Sequence, residues 1–153
     1  MPPGGPAALR LAVHDWPVTV QTRSALILRD LHVLKQGRDF EAGLSITTAD
    51  DSIRKIFEPN APPIEQRIRA LDELHRAGIT TYAMIAPMLP GAETLAELLA
   101  GKVDYVRLDR LNYHYGDWVY RNHGLQEKMT DAYCLQTERR LTSDFARLGI
   151  AVQ

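Results

Sequence analysis

The chain has 153 residues, 45% of them hydrophobic and 24% charged, with a formal net charge of -1. This is the composition of a globular domain with its own core, and it excludes a long disordered chain, which carries fewer apolar residues and more net charge. No apolar run approaches the roughly 20 residues of a membrane span, and the near-neutral balance argues against a dedicated nucleic-acid binder, which carries a basic surplus.

Met1 to Ala8 (MPPGGPAA) holds three prolines and two glycines and is expected to be disordered. It has no basic segment followed by an apolar one, so no signal peptide is read and the expected compartment is the cytoplasm. Residues 9–153 are expected to form one domain. Leu9 to Trp16 reads as a short helix that ends before Pro17.

From there the pattern alternates. Val18-Thr19-Val20 is a β-branched run leading into Gln21-Thr22-Arg23-Ser24. Ser24 suits an N-cap, and Ile27, Leu28, Leu31 and Leu34 recur at helical spacing until Gly37. Leu44 to Thr48 (LSITT) reads as a second strand, with a short helix around Asp51 to Phe57. After Pro59, Pro62 and Pro63 comes the clearest helix. Ile64, Ile68, Leu71 and Leu74 form one stripe, Glu65 suits the positive end of the helix dipole, and Gly78 is the stop.

Thr80 to Met88 (TTYAMIAPM) is the third strand, and Glu93 to Ala100 a helix closed by Gly101. Val103 to Leu111 (VDYVRLDRL) is the fourth strand. Asn112 to Gly124 is polar and aromatic and takes no assignment. Asp131 to Leu148 is a last helix with Leu141, Phe145 and Leu148 inward and Gly149 as its stop. Ile150 to Val152 can begin a fifth strand.

Strands and helices alternating at this spacing predict an α/β fold of βαβ units, with a parallel sheet and right-handed crossovers. Two closures are compatible: a doubly wound open sheet, or part of a (β/α) barrel. A complete eight-stranded barrel takes about 250 residues, so it is excluded.

Ligands of parallel α/β folds bind at the carboxyl ends of the strands. That rule selects Thr22, Arg23 and Ser24, then Ser45, Thr47 and Thr48, then Ala86, Pro87 and Met88. After the fourth strand come Asp109, Arg110 and Asn112, with Tyr113 and His114 beyond. Hydroxyls, a cation and a small residue suit an anionic or ribose-bearing ligand. In the competing reading Ser24 only caps a helix, and Ser45 and Thr47 only occupy strand positions.

His114, Asp117 and His123 share one loop without His-x3-His spacing, so no metal site is assigned. His75 is expected at a helix edge. Cys134 is expected to be a buried, inert thiol beside Leu141 and Phe145. One cysteine can neither close an internal disulfide nor hold a Cys-based zinc site or an iron–sulfur cluster. G-x-G-x-x-G, Walker and G-x-S-x-G motifs are absent.

Pro17 to Asp30 (PVTVQTRSALILRD), Leu44 to Thr48 (LSITT), Phe57 to Pro63 (FEPNAPP), Glu65 to Arg67 and Ala83 to Gly91 (AMIAPMLPG) recur in one order. In that order they resemble the radical S-adenosylmethionine (SAM) proteins related to spore photoproduct lyase, often called DNA repair photolyases. The resemblance covers most of Trp16 to Val152. It implies a partial (β/α)6, TIM-like barrel, of which about four strands are present. Val18–Thr22 would be its third strand, Leu44–Thr48 its fourth, Thr80–Met88 its fifth and Val103–Leu111 its sixth.

The resemblance also implies the cofactor S-adenosylmethionine and a [4Fe–4S] cluster held by CxxxCxxC after the first strand. That motif and the second-strand segment are missing here. Met1 to Ala8 reads as an arbitrary start upstream of a helix that followed strand two. The family uses a Thr-Lys-Ser type segment where this chain has Thr22-Arg23-Ser24, so Arg23 would pair with the cofactor carboxylate. Ser45, on the strand that also carries Thr47, matches a ribose or carboxylate contact. Ala86 and Pro87 match the segment against the adenine. No catalytic residue carries over.

The implied function is a fragment of a radical SAM enzyme domain, inactive alone because the cluster ligands are missing. The alternative is a non-catalytic α/β remnant or interaction module that keeps the cofactor crevice. An unrelated hydrolase or transferase fragment is a third reading, with no motif behind it. Expected partners are a second copy or a chain carrying the missing N-terminal strands, with no nucleic acid and no membrane. Substrate and reaction type stay open.

Overall fold

The computed structural model describes residues 11, 14, 16–110 and 114–153. The stretch Met1–Ala8, expected to be disordered, most of the expected Leu9–Trp16 helix, and Leu111, Asn112 and Tyr113 fall outside the described residues.

Five strands form one sheet: β1 (Val18–Thr22), β2 (Phe40–Ser45), β3 (Thr80–Ile85), β4 (Tyr105–Leu108) and β5 (Ala151–Val152). All neighbours pair in parallel and the order is β1-β2-β3-β4-β5. Between them run α1 (Leu31–Leu34), α2 (Asp51–Phe57), α3 (Ile64–Arg76), α4 (Leu95–Leu99), α5 (Asp117–Asn122) and α6 (Asp131–Arg147).

Strand order decides between the two closures. A doubly wound sheet reverses direction at a switch point and is covered on both faces. Here the strands follow one another in sequence. The helix-facing side chains of the sheet (Ala42, Leu44, Ala83, Ile85, Val106) share one core with Leu34, Leu71, Leu74, Leu95, Leu99, Leu141 and Phe145. Helices over one face and strands in sequence are the wall of a (β/α) barrel.

The elements depart from expectation mainly at strand ends. β2 starts four residues before the expected Leu44 and stops at Ser45, because Phe40 and Ala42 are buried against the helices and pair with Val18 and Val20. β3 stops at Ile85 rather than Met88. Pro87, in a cis peptide with Ala86, has no N–H to give, and Met88 donates instead to the Asp109 carbonyl at 3.0 Å. β4 is the shorter Tyr105–Leu108.

The expected Glu93–Ala100 helix is a 3₁₀ turn, Ala92–Thr94, followed by α4. Ser24 does act as an N-cap, accepting from the Leu26 amide at 3.2 Å, but it opens a 3₁₀ turn, Ala25–Asp30, that leads into α1. The unassigned aromatic stretch contains α5, whose Val119 and Tyr120 are buried.

Candidate cofactor crevice

The predicted site residues lie along one rim of the sheet, at or just beyond the strand ends. Thr22 ends β1 opposite Leu44, and Ser45 ends β2 opposite Met84. Thr47 continues past β2, where its carbonyl accepts from the Leu89 amide at 3.0 Å. Ala86 and Pro87 follow β3, both half-buried.

Several of their hydroxyls serve the local backbone. Thr22 Oγ1 accepts from the Ser24 amide at 3.0 Å. Thr48 donates to the Pro90 carbonyl at 2.7 Å. Residue 91 must be glycine there: its φ is +87°, and a Cβ would stand 2.7 Å from Thr48 Oγ1. Ser45 Oγ accepts from Gln21 Nε2 at 3.4 Å. Of the competing reading, Ser24 does cap its turn and Ser45 does occupy a strand position, while Thr47 lies beyond the strand.

A carboxylate that the sequence reading left without a role organises the rim. Glu58 follows α2, and its side chain is 12% exposed. Its Oε2 accepts from Arg67 Nη2 at 2.9 Å and from the Thr47 hydroxyl at 3.2 Å. Its Oε1 accepts from Arg23 Nε at 3.0 Å. Arg67 is fully buried, with Nε donating to the Pro62 carbonyl and Nη1 to the Ser45 carbonyl, both at 2.9 Å. One guanidinium thus ties α3, the end of β2 and the 58–63 loop together.

The loop has a second anchor. Arg54 donates to the carbonyls of Glu58 (3.2 Å) and Ala61 (2.8 Å) and reaches both oxygens of Asp51. Asp51 also accepts from the first amide of α3, Ile64, at 3.2 Å. The Arg54 guanidinium holds the Asp51 carboxyl below its ordinary value.

The resulting crevice, of about 460 Å³, is lined by Arg23, Phe57, Glu58, Pro59, Asn60, Ala61 and Pro62. Phe57 is braced from behind by an edge-on contact with Tyr120 of α5, ring centres 4.8 Å apart. Of the predicted site, only Arg23 lines this crevice. Thr22, Ser24, Ser45, Thr47, Ala86 and Pro87 do not.

The face of the sheet away from the helices carries a polar and aromatic layer that sequence reading also missed. Tyr82 and Tyr105 stack at 5.1 Å, and the Arg107 guanidinium lies 4.7 Å from the first ring and 5.4 Å from the second. Tyr82 donates to Gln21 Oε1 at 3.2 Å and Tyr105 to Glu41 Oε2 at 2.8 Å. Burial, reinforced by Glu41, pushes the Tyr105 phenol up to about 12. The period-2 alternation of Tyr82/Met84 and Tyr105/Arg107 was the available signal.

Among the described residues no group of three or more His, Cys, Asp or Glu side chains converges. His114 Nδ1 lies 3.0 Å from Asp117 Oδ2. His75 Nδ1 lies 3.1 Å from Thr81 Oγ1 and 3.3 Å from Asp104 Oδ2, at the opposite end of the sheet from the rim. Cys134 is half-buried rather than buried, because it sits on the margin of the stripe that buries Leu141 and Phe145. Burial still pushes its thiol up, the direction of an unreactive cysteine.

A parallel barrel wall with a charged crevice at the carboxyl ends of its strands defines a partial (β/α) barrel domain. The sequence profile of the Radical SAM superfamily matches residues 1–100, and the chain belongs to that superfamily. An uncharacterized protein of Methanocaldococcus jannaschii is 38% identical over 73 residues, 48% of this chain and 28% of its own length. An uncharacterized protein of Acidianus two-tailed virus is 33% identical over 72 residues, 46% of this chain and 24% of its own length. The matched region thus spans about a quarter of these relatives. A domain of pyruvate-formate lyase-activating enzyme from Bacteroides vulgatus superposes with a TM-score of 0.67 over 97% of this chain and 86% of its own, at 14% identity. That likeness establishes the fold.

Proposed function

We propose that this chain is the cofactor-binding later part of a radical SAM domain of the spore photoproduct lyase-like kind, and that it binds S-adenosylmethionine along the rim described above. The observation that carries the reading is Arg23. It spends Nε on Glu58 and leaves its two terminal nitrogens without a hydrogen bond among the described residues. Such a planar fork accepts a carboxylate bidentately. Arg23 would hold the amino-acid carboxylate, Ser45 the ribose side, and Ala86 and Pro87 the adenine face, while Thr47, fully buried, would act from beneath through its hydrogen bond to Glu58. Thr22 and Ser24 would shape the turn that carries Arg23.

In complete members of the superfamily the bound cofactor supplies a radical after reductive cleavage at a [4Fe–4S] cluster. The residues of this chain do not fit that cluster: the sequence holds one cysteine, Cys134, where three thiolates are needed. The chain alone is accordingly proposed to bind without catalysing, as a fragment or as a module that has kept the crevice. A second copy, or a chain carrying the strands that precede β1, would complete the sheet.

Calorimetry with S-adenosylmethionine tests the reading. Wild type should bind weakly, and Arg23→Ala should lose about tenfold, the low end for a charged hydrogen bond. Equal affinities would remove Arg23 from the site.

A further inference from the structure

We infer that Glu58 is the positioning residue of this crevice: it holds Arg23 by Nε so that the terminal nitrogens face a ligand carboxylate. The inference rests on the cofactor reading above and adds the group that makes Arg23 a receptor. The Arg23 side chain is 54% exposed, and an arginine at such a site ordinarily samples many rotamers. Here its inner nitrogen meets a carboxylate that cannot itself turn. Glu58 Oε2 is clamped by fully buried Arg67 and by the Thr47 hydroxyl, which leaves Oε1 facing the crevice. Arg67 is in turn fixed by two backbone carbonyls, Pro62 and Ser45.

Order therefore passes from backbone to Arg67, to Glu58, to Arg23. The same geometry explains why a carboxylate this close does not block the site. Glu58 occupies the side of the guanidinium that a bidentate ligand leaves free. Its charge lowers the net positive potential at Arg23, so the crevice selects on the directed fork more than on charge. A compound with an amino-acid end should feel this device, and one without it should not.

The test compares S-adenosylhomocysteine, which has the amino-acid end, with 5′-methylthioadenosine, which lacks it, by calorimetry on the full chain. Wild type should prefer the first. Glu58→Gln should weaken S-adenosylhomocysteine about tenfold, and leave methylthioadenosine unchanged. Added to Arg23→Ala, it should cost nothing further, because the fork it positions is gone.

Glu58→Asp keeps the counter-charge of Arg67 but retracts it by one methylene, so it serves if the glutamine variant does not fold, and the same selective loss is expected. Equal losses on both compounds, or an undiminished loss in the Arg23→Ala background, would reduce Glu58 to a scaffold residue and overturn the inference. If wild type binds methylthioadenosine but gains nothing from the amino-acid end, the inference fails while an adenosine site survives. If it binds neither, the cofactor reading itself falls and this inference with it.

Discussion

Gly43 of β2 lies flat against the ring of Tyr82 of β3: a Cβ on residue 43 would stand 2.1 Å from Tyr82 Cζ. The ring has nowhere to retreat, since Tyr105 stacks on it and Arg107 lies over both. Gly43→Ala should therefore destabilise the domain by about 1–3 kcal/mol, the range for overpacking a filled site. Urea unfolding measures it, and a loss below about 0.5 kcal/mol, ordinary for a surface change, would mean the ring can move aside.

Arg67 offers a sharper contrast between breaking a buried pair and replacing it. Arg67→Ala leaves Glu58 without its buried partner and the Pro62 and Ser45 carbonyls without donors. A loss of about 3–5 kcal/mol is expected. Arg67→Met together with Glu58→Gln removes both charges and keeps the volume, so the double variant should be more stable than Arg67→Ala. Denaturant midpoints compare them, and a double variant no better than the alanine would show that the backbone contacts outweigh the ion pair.

That arginine also marks where reading the sequence stopped short. The stripe Ile64, Ile68, Leu71, Leu74 was legible because four apolar residues recur at helical spacing. Position 67 lies on the same face, yet an arginine there reads as solvated until a carboxylate nine residues away folds back on it. α2 falls where a short helix was expected, at Asp51 to Phe57, and the glycine stops at 78, 101 and 149 all have positive φ. The start of β2 was not. Phe40-Glu41-Ala42-Gly43 has little intrinsic strand preference, and Gly43 belongs there only because a ring from the next strand needs the space. The rim was found by topology alone. Its organiser, Glu58, sits in a proline-rich loop that periodicity cannot describe.

Asp51 gives the stability an acid limb. Its carboxyl is held below the ordinary 3.8, first by the Arg54 hydrogen bond. A carboxyl lowered on folding contributes stability that is complete above its unfolded value and is lost as pH falls through the folded one. Asp51→Asn should thus melt below wild type at neutral pH, with the gap closing under acid. A gap independent of pH would assign the cost to shape rather than charge.

Tyr105 gives an alkaline limb of the opposite sense. Its phenol is raised from 10.0 to about 12, chiefly by burial and then by Glu41. A phenol that folding keeps neutral stabilises fully below its unfolded value, and this contribution is lost as pH rises through the folded one. Tyr105→Phe should remove part of the stability loss between those limits. Spectroscopic titration of tyrosinate should show one fewer late-ionising phenol. An unchanged titration would place the Tyr105 hydroxyl in water.

The open edge of β1 makes the last prediction. Among the described residues β1 pairs only with β2, and Val18 turns its amide toward that neighbour, donating to the Asp39 carbonyl at 3.0 Å. By strand alternation the amides of Thr19 and Gln21 then point outward, along an edge that no other strand covers among the described residues. Trp16, just before the strand, is 63% exposed, and Leu26, just after it, 59%. A parallel strand with a free edge and apolar flanks is a template for another chain. Sedimentation should show mass rising with concentration. Thr19→Pro removes an outward amide without touching a β1–β2 bond, at the cost of one 3.5 Å side-chain contact to Glu41. It should leave the thermal transition in place and suppress association. A wild-type chain that stays monomeric at every concentration would show that the edge is closed by residues outside those described. Association that survives Thr19→Pro would move the contact to another surface.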